Sequence, residues 1–201
     1  MAHDPSTLPA DLPAPSDDGA ARHLLGLTVP SIVLRSTSGE DVDLREQSVR
    51  GRLVVFTYPR TGRPGVEPPS GWDSIPGARG CTPEACSFRD LAGEFAAHDT
   101  TIYGVSTQDT EYQREAASRL RLPYALLSDQ HLRLSNALRL PTFDVEGMTL
   151  LRRATLLLSE GRVKSVLYPV FPPDQAASQA LSLVAPPSTP RGDRSGAPDG
   201  S

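Results

Sequence analysis

Cys81 and Cys86 are the only two cysteines of the 201-residue chain, and they stand five positions apart within GCTPEACSFRD, residues 80–90. Two thiols so close could form a redox pair, share a metal, or pack as small apolar groups. Thr82 followed by Pro83 reads as a helix start, with Thr as the cap and Pro at the first helical position. That places Cys81 just ahead of the helix, where backbone N–H groups and the helix dipole favour a thiolate, so its pKa is expected below the ordinary value. Cys86 then falls in the first turn beside Ala85, shielded in the reduced form. Five helical residues rise about 7.5 Å and turn through about 500 degrees, so the two side chains diverge. A disulfide needs converging Cβ vectors. Bonding therefore requires the first turn to unwind.

The metal reading is weak. His3, His23, His98 and His131 are scattered through the chain without zinc-like spacing, and no metal is expected. A net charge of −4 argues against nucleic acid or an anionic membrane as partner, since both call for a concentrated basic surface. Lys164 is the one lysine among 20 Lys and Arg residues, a bias of GC-rich and bacterial coding rather than of chemistry. No segment has the ~20 apolar residues of a membrane span, and the N-terminus shows no apolar run behind a basic start. The expectation is a cytoplasmic protein. In that reducing setting a cysteine pair is more often catalytic, redox-active or metal-binding than a permanent staple.

With 38% hydrophobic and 22% charged residues, the composition fits one globular domain carrying some loose material. Residues 1–22 and 186–201 are rich in Pro, Asp, Ala, Ser and Gly and are expected to be disordered tails around a domain of residues 23–185. Residues 61–80, TGRPGVEPPSGWDSIPGARG, form a turn-rich insert that holds the only tryptophan, Trp72. A loop of that length is either a functional lid or a solvent loop.

Elements that could position the thiols surround the insert. Ser31–Arg35 and Glu40–Leu44 read as a hairpin, while LVVFTY (53–58) and TIYGVS (101–106) are apolar runs suited to strands covered on both faces. Strands are also predicted at 124–127, 154–158 and 162–167, the last two joined by Glu160-Gly161. Helices are predicted over 84–98, 110–120, 130–138 and 174–183, the first from the stripe Ala85, Phe88, Leu91, Ala92 and Phe95. The alternation implies an α/β sandwich, of which the thioredoxin arrangement is one member.

GCTPEACSFRD resembles the active-site segment of peroxiredoxins of the bacterioferritin-comigratory or Q type. LVVFTYP (53–59), Leu127-Ser128-Asp129 and Arg153-Ala154-Thr155-Leu156-Leu157-Leu158 are similar to family segments as well, so the resemblance runs from about 24 to 184. It implies an α/β thioredoxin-like fold, a central mixed sheet flanked by helices. It implies a thiol peroxidase acting on hydrogen peroxide or organic hydroperoxides, with no metal or organic cofactor. Cys81 would become a sulfenic acid and condense with Cys86 to a disulfide, which a thioredoxin or glutaredoxin-like partner would reduce. Arg153 would support the thiolate and peroxide, and Glu84 would hold Arg153. Arg152 is the competing arginine, since neighbours on a strand face opposite ways, and the pattern Arg-x-Thr selects Arg153. Such relatives can work as monomers, the expectation carried here.

One departure stands out. The family pattern Pro-x-x-x-Thr-x-x-Cys supplies a hydroxyl to the peroxide, yet residues 60–80 separate Pro59 from Cys81 and position 78 is Ala. Thr61 or Ser74 is expected to fold back and replace it, or the insert with Trp72 is expected to roof the pocket. Two other readings stay open: a thiol-disulfide oxidoreductase with little peroxidase turnover, and a redox-sensing binding protein of the same fold.

Overall fold

The computed structural model describes residue 8 and residues 12–184. Strands β1 (Val33–Ser36) and β2 (Asp41–Asp43) form the expected antiparallel hairpin. Helix α1 (Leu44–Arg50) follows at once, where the sequence reading had continued the strand to Leu44. The reason is Asp43, whose Oδ1 accepts from the backbone N–H groups of Arg45 (2.8 Å) and Glu46 (3.2 Å) and so starts a helix. Strand β3 (Arg52–Thr57) then leads into the insert.

Beyond the insert come α2 (Cys81–Asp90), α3 (Ala92–Ala97), β4 (Thr100–Ser106), α4 (Thr110–Leu120), β5 (Ala125–Ser128) and α5 (Arg133–Leu138). The single helix predicted over 84–98 is thus two, interrupted at Leu91, although Phe88 and Phe95 still share one buried face. Strands β6 (Thr142–Val145) and β7 (Met148–Leu151) make a separate two-stranded hairpin that the sequence reading left out. The chain closes with β8 (Ala154–Ser159), β9 (Arg162–Leu167) and α6 (Ala176–Val184).

The main sheet has seven strands in the order β2-β1-β5-β4-β3-β8-β9, with β3 parallel to β4 and β4 parallel to β5. Its other pairings are antiparallel. Alternate residues of β3 feed two cores, because successive strand side chains point to opposite faces. Leu53 and Val55 join Leu44, Leu127, Leu134, Leu138 and Leu156 on one side. Val54 and Phe56 join Phe88, Phe95, Leu126, Ala176 and Ala180 on the other. This is the mixed sheet flanked by helices that the sequence implied. At Gly104 of β4 a Cβ would come within 2.6 Å of the Phe56 ring, so glycine there lets that ring lie flat beneath Phe88.

The described part of the 1–22 segment touches the body. Ala21 is buried, the Tyr168 hydroxyl donates to Asp18 (2.9 Å), and Pro15 lies against Gly77. Residues 1–7, 9–11 and the predicted 186–201 tail fall outside the described residues.

Candidate active site

Helix α2 opens two residues before the Thr82 cap and Pro83 start that the sequence implies. Gly80 is the N-cap, at φ 106°, and the first helical hydrogen bond runs from the Glu84 N–H to the Gly80 carbonyl (2.9 Å). Cys81 is therefore the first helical residue rather than the one ahead of it, and Thr82 is inside the first turn, not its cap. Glycine is required at 80 for two reasons. Its φ is left-handed, and a Cβ would meet Pro173 Cγ at 2.3 Å. Pro83 costs no hydrogen bond, since N–H groups in the first turn have no helical partner.

Three elements converge on Cys81, which is 4% exposed. From the start of β8, Arg153 directs Nη2 to the sulfur (3.5 Å) and to the carbonyls of Gly77 (3.3 Å) and Arg79 (3.2 Å). Its Nη1 donates to Glu84 Oε2, one helical turn past Cys81, and both members of this ion pair are buried. The end of β3 brings Tyr58, buried Pro59 and then Arg60, whose backbone N–H exerts a minor downward pull on the Cys81 thiol. The insert supplies the carbonyl of Ala78, 3.7 Å from Sγ. Arg152, the competitor, faces the other way, with Nε on the Thr142 carbonyl (3.2 Å) and its guanidinium over Phe143.

Electrostatics correct one expectation. Burial pushes the Cys81 thiol up, the Arg153 charge pulls it down, and the buried Glu84 charge pushes it up again, with a net direction upward. The helix start alone had argued for a lowered value. It is outweighed because a charge removed from water loses more than a partly neutralised arginine returns. Burial likewise pushes the Glu84 carboxyl up to about 7, against the pull of Arg153. Cys86 is only partly exposed, on the same helix but away from this cavity, and burial pushes its thiol up while Arg89 pulls it down. Both cysteines are free.

The insert is a folded roof. Trp72 is buried with Ala78 and Leu150 and packs on Ile75, Phe143, Val145 and Met148, so the overlooked β6–β7 hairpin is its seat. Ser70 N–H donates to Glu146 Oε1 (2.9 Å) in the turn of that hairpin. On the opposite flank Arg63 lies over the Tyr112 ring of α4 (4.1 Å) and pairs with Glu115. Beneath this roof Cys81 opens on a cavity of about 30 Å³, walled by Arg60, Arg63, Trp72, Arg79, Thr82 and Tyr112 among others. Neither predicted replacement hydroxyl reaches it. Thr61 donates to Gln108 Oε1 (3.1 Å) and Ser74 to the Gly71 carbonyl (2.7 Å).

The chain that carries this site matches known proteins along most of its length. The Redoxin family matches residues 24–183. The chain belongs to the redoxin family, among peroxiredoxins of the Q/Bcp type. Peroxiredoxin Bcp of Bacillus subtilis is 31% identical over 144 residues, 69% of this chain and 81% of that one. The chloroplastic peroxiredoxin Q of Gentiana triflora is 28% identical over 182 residues, 88% of this chain and 76% of its own. The solved structure of peroxidoxin BcpB from Mycobacterium tuberculosis superposes with a TM-score of 0.64 at 29% identity, covering 80% of this chain and 95% of that one. This redoxin therefore has the thioredoxin-like peroxiredoxin fold. No helix among the described residues is long and apolar enough to cross a membrane.

Proposed function

We propose that the protein is a thiol-dependent peroxidase in which Cys81 is the attacking group and Cys86 resolves it. The observation that carries this is the buried Cys81 sulfur, 3.5 Å from Arg153 Nη2 and open to a cavity of peroxide size. The Cys81 thiolate attacks the near oxygen of ROOH, the S–O bond forms as the O–O bond breaks, and the far oxygen leaves with the electron pair. With one proton it becomes ROH, and Cys81 is left as a sulfenic acid. Arg153 is placed to offset negative charge on sulfur and oxygens together.

Resolution needs movement. Condensation of the sulfenic acid with the Cys86 thiol expels water and forms a disulfide, and helical spacing keeps the two apart while the Glu84-to-Gly80 bond stands. The first turn of α2 opens for it. An external dithiol, thioredoxin or glutaredoxin-like, then reduces the bridge by exchange. The bridge is intramolecular, so a monomer suffices, and a cytoplasmic setting suits reduction by a cellular dithiol.

Mixing the reduced protein with hydrogen peroxide in a stopped-flow instrument tests this. Fast thiol loss followed by turnover with a dithiol is the expected result. Fast oxidation without turnover would favour a redox sensor of the same fold, and no response would favour a thiol-disulfide oxidoreductase.

A further inference from the structure

Thr82 is 2% exposed, and its hydroxyl has no hydrogen-bond partner among the described residues. Leaving a buried hydroxyl unpaired is destabilising, and valine would fill the same space without that cost. The hydroxyl belongs to the residue after Cys81, and both residues line the same cavity of about 30 Å³. Such a cavity holds about two water-sized groups, which is the size of HO–OH or of the O–O end of an alkyl hydroperoxide. The other hydroxyls near the insert are occupied, Thr61 by Gln108 and Ser74 by the Gly71 carbonyl. Position 78 contributes only a backbone carbonyl.

We propose that Thr82 binds and orients the peroxide for attack by Cys81. The assignment rests on the peroxidase reading above. A threonine hydroxyl offers one donor and two acceptor sites, so it can accept from the peroxide O–H while directing its own proton to the substrate oxygens. Arg153 reaches the sulfur from the β8 side and supplies charge. Thr82 supplies direction. Atoms and electrons balance as before: sulfur bonds the near oxygen, the O–O bond breaks, and the far oxygen takes a proton from solvent to leave as water or alcohol. The hydroxyl holds the substrate through the step and is returned unchanged.

The test is carried out on the full chain in a Cys86→Ser background, so that Cys81 is the one thiol. Two rates are measured for each variant, the second-order rate with hydrogen peroxide and the rate of alkylation by iodoacetamide, which reads thiol reactivity without a peroxide. Thr82→Val is expected to lower the peroxide rate about 100-fold, as loss of an oriented donor in a closed site does, with alkylation unchanged. Thr82→Ser is expected to restore most of the peroxide rate. An unaltered peroxide rate in Thr82→Val, a parallel fall in alkylation, or failure of serine to restore it would each overturn the role of Thr82. A parent protein inert to peroxide would remove both this role and the peroxidase reading, whereas an active parent with an indifferent Thr82→Val removes this role alone.

Discussion

The two thiols of α2 share one helix and almost nothing else. Cys81 is buried and gripped, with a guanidinium and a carbonyl around its sulfur. Cys86 is partly exposed, lies outside the cavity, and has the Arg89, Asp90 and Arg119 side chains as nearby charges. The contrast separates two jobs that one helix start cannot do at once. A peroxide needs a fixed sulfur, and a disulfide needs a mobile one.

The bluntest way to break the contrast is to exchange sulfur for oxygen at each place. Cys81→Ser is expected to abolish peroxide-dependent oxidation, a loss of at least about 10³-fold for removal of a nucleophile. Cys86→Ser should still lose its remaining thiol to peroxide but should not turn over with a dithiol. Thiol titration and mass measurement of the sulfenic acid would distinguish them. Equal losses in both variants would mean the two sulfurs act as a unit and the division of labour is wrong.

Removing the grip should cost rate and stability together. Arg153→Met strands Glu84 as a buried carboxyl without a cation, a change that costs about 3–5 kcal/mol when a buried pair is halved. The penalty should be larger at pH 8 than at pH 5, because a carboxyl pushed up to about 7 escapes it by taking a proton. Chemical denaturation at both values measures this. A penalty independent of pH would show that Glu84 does not change its protonation over this range.

Glu84 makes the next, smaller test. Its carboxyl rises from 4.5 to about 7 on folding, so the folded state binds the extra proton in that window. The resulting stability is complete below about 4.5, declines as pH climbs to about 7, and is level above. Glu84→Gln should lack the decline. It should also lower the Cys81 pKa, since the carboxylate charge pushes that thiol up. In the parent protein the rate with peroxide should keep rising with pH above neutrality, and a profile already flat at pH 6 would contradict a raised thiol.

The smallest expected effect lies in the roof. Trp72→Ala removes the centre of a satellite core and should cost less than the about 3–5 kcal/mol of a Trp→Ala change in a main core. Hydrogen exchange of residues 61–80 should quicken, and the preference for hydrogen peroxide over a bulkier hydroperoxide should narrow. An unchanged preference would make the insert a cover without selectivity.

Local chemistry explains which features were readable. Helix α4 was legible to its ends, because Asp109 caps it by accepting from the Tyr112 N–H (2.7 Å). The Glu160-Gly161 turn revealed β8 and β9, yet the equivalent Glu146-Gly147 pair, also at positive φ in both residues, went unread and with it β6–β7. The strands flanking that second pair are half-exposed and lack the apolar run that marks β8. Thr-Pro reads as a cap with its first helical residue, whereas in the structure Gly80, in the αL conformation, is the N-cap.

By itself, the order of residues determined the alternation of strands and helices, the two-faced burial of β3, and the neighbourhood of two thiols at a helix start, since each depends on contacts within a few positions. Tertiary structure alone decided the balance of burial and charge around the Cys81 thiol, the docking of the insert on β6–β7, and which hydroxyl-bearing residue lines the cavity. Those outcomes turn on desolvation and on groups 69 to 76 positions apart, such as Arg153 with Glu84 and with Gly77, and neither is written in local spacing.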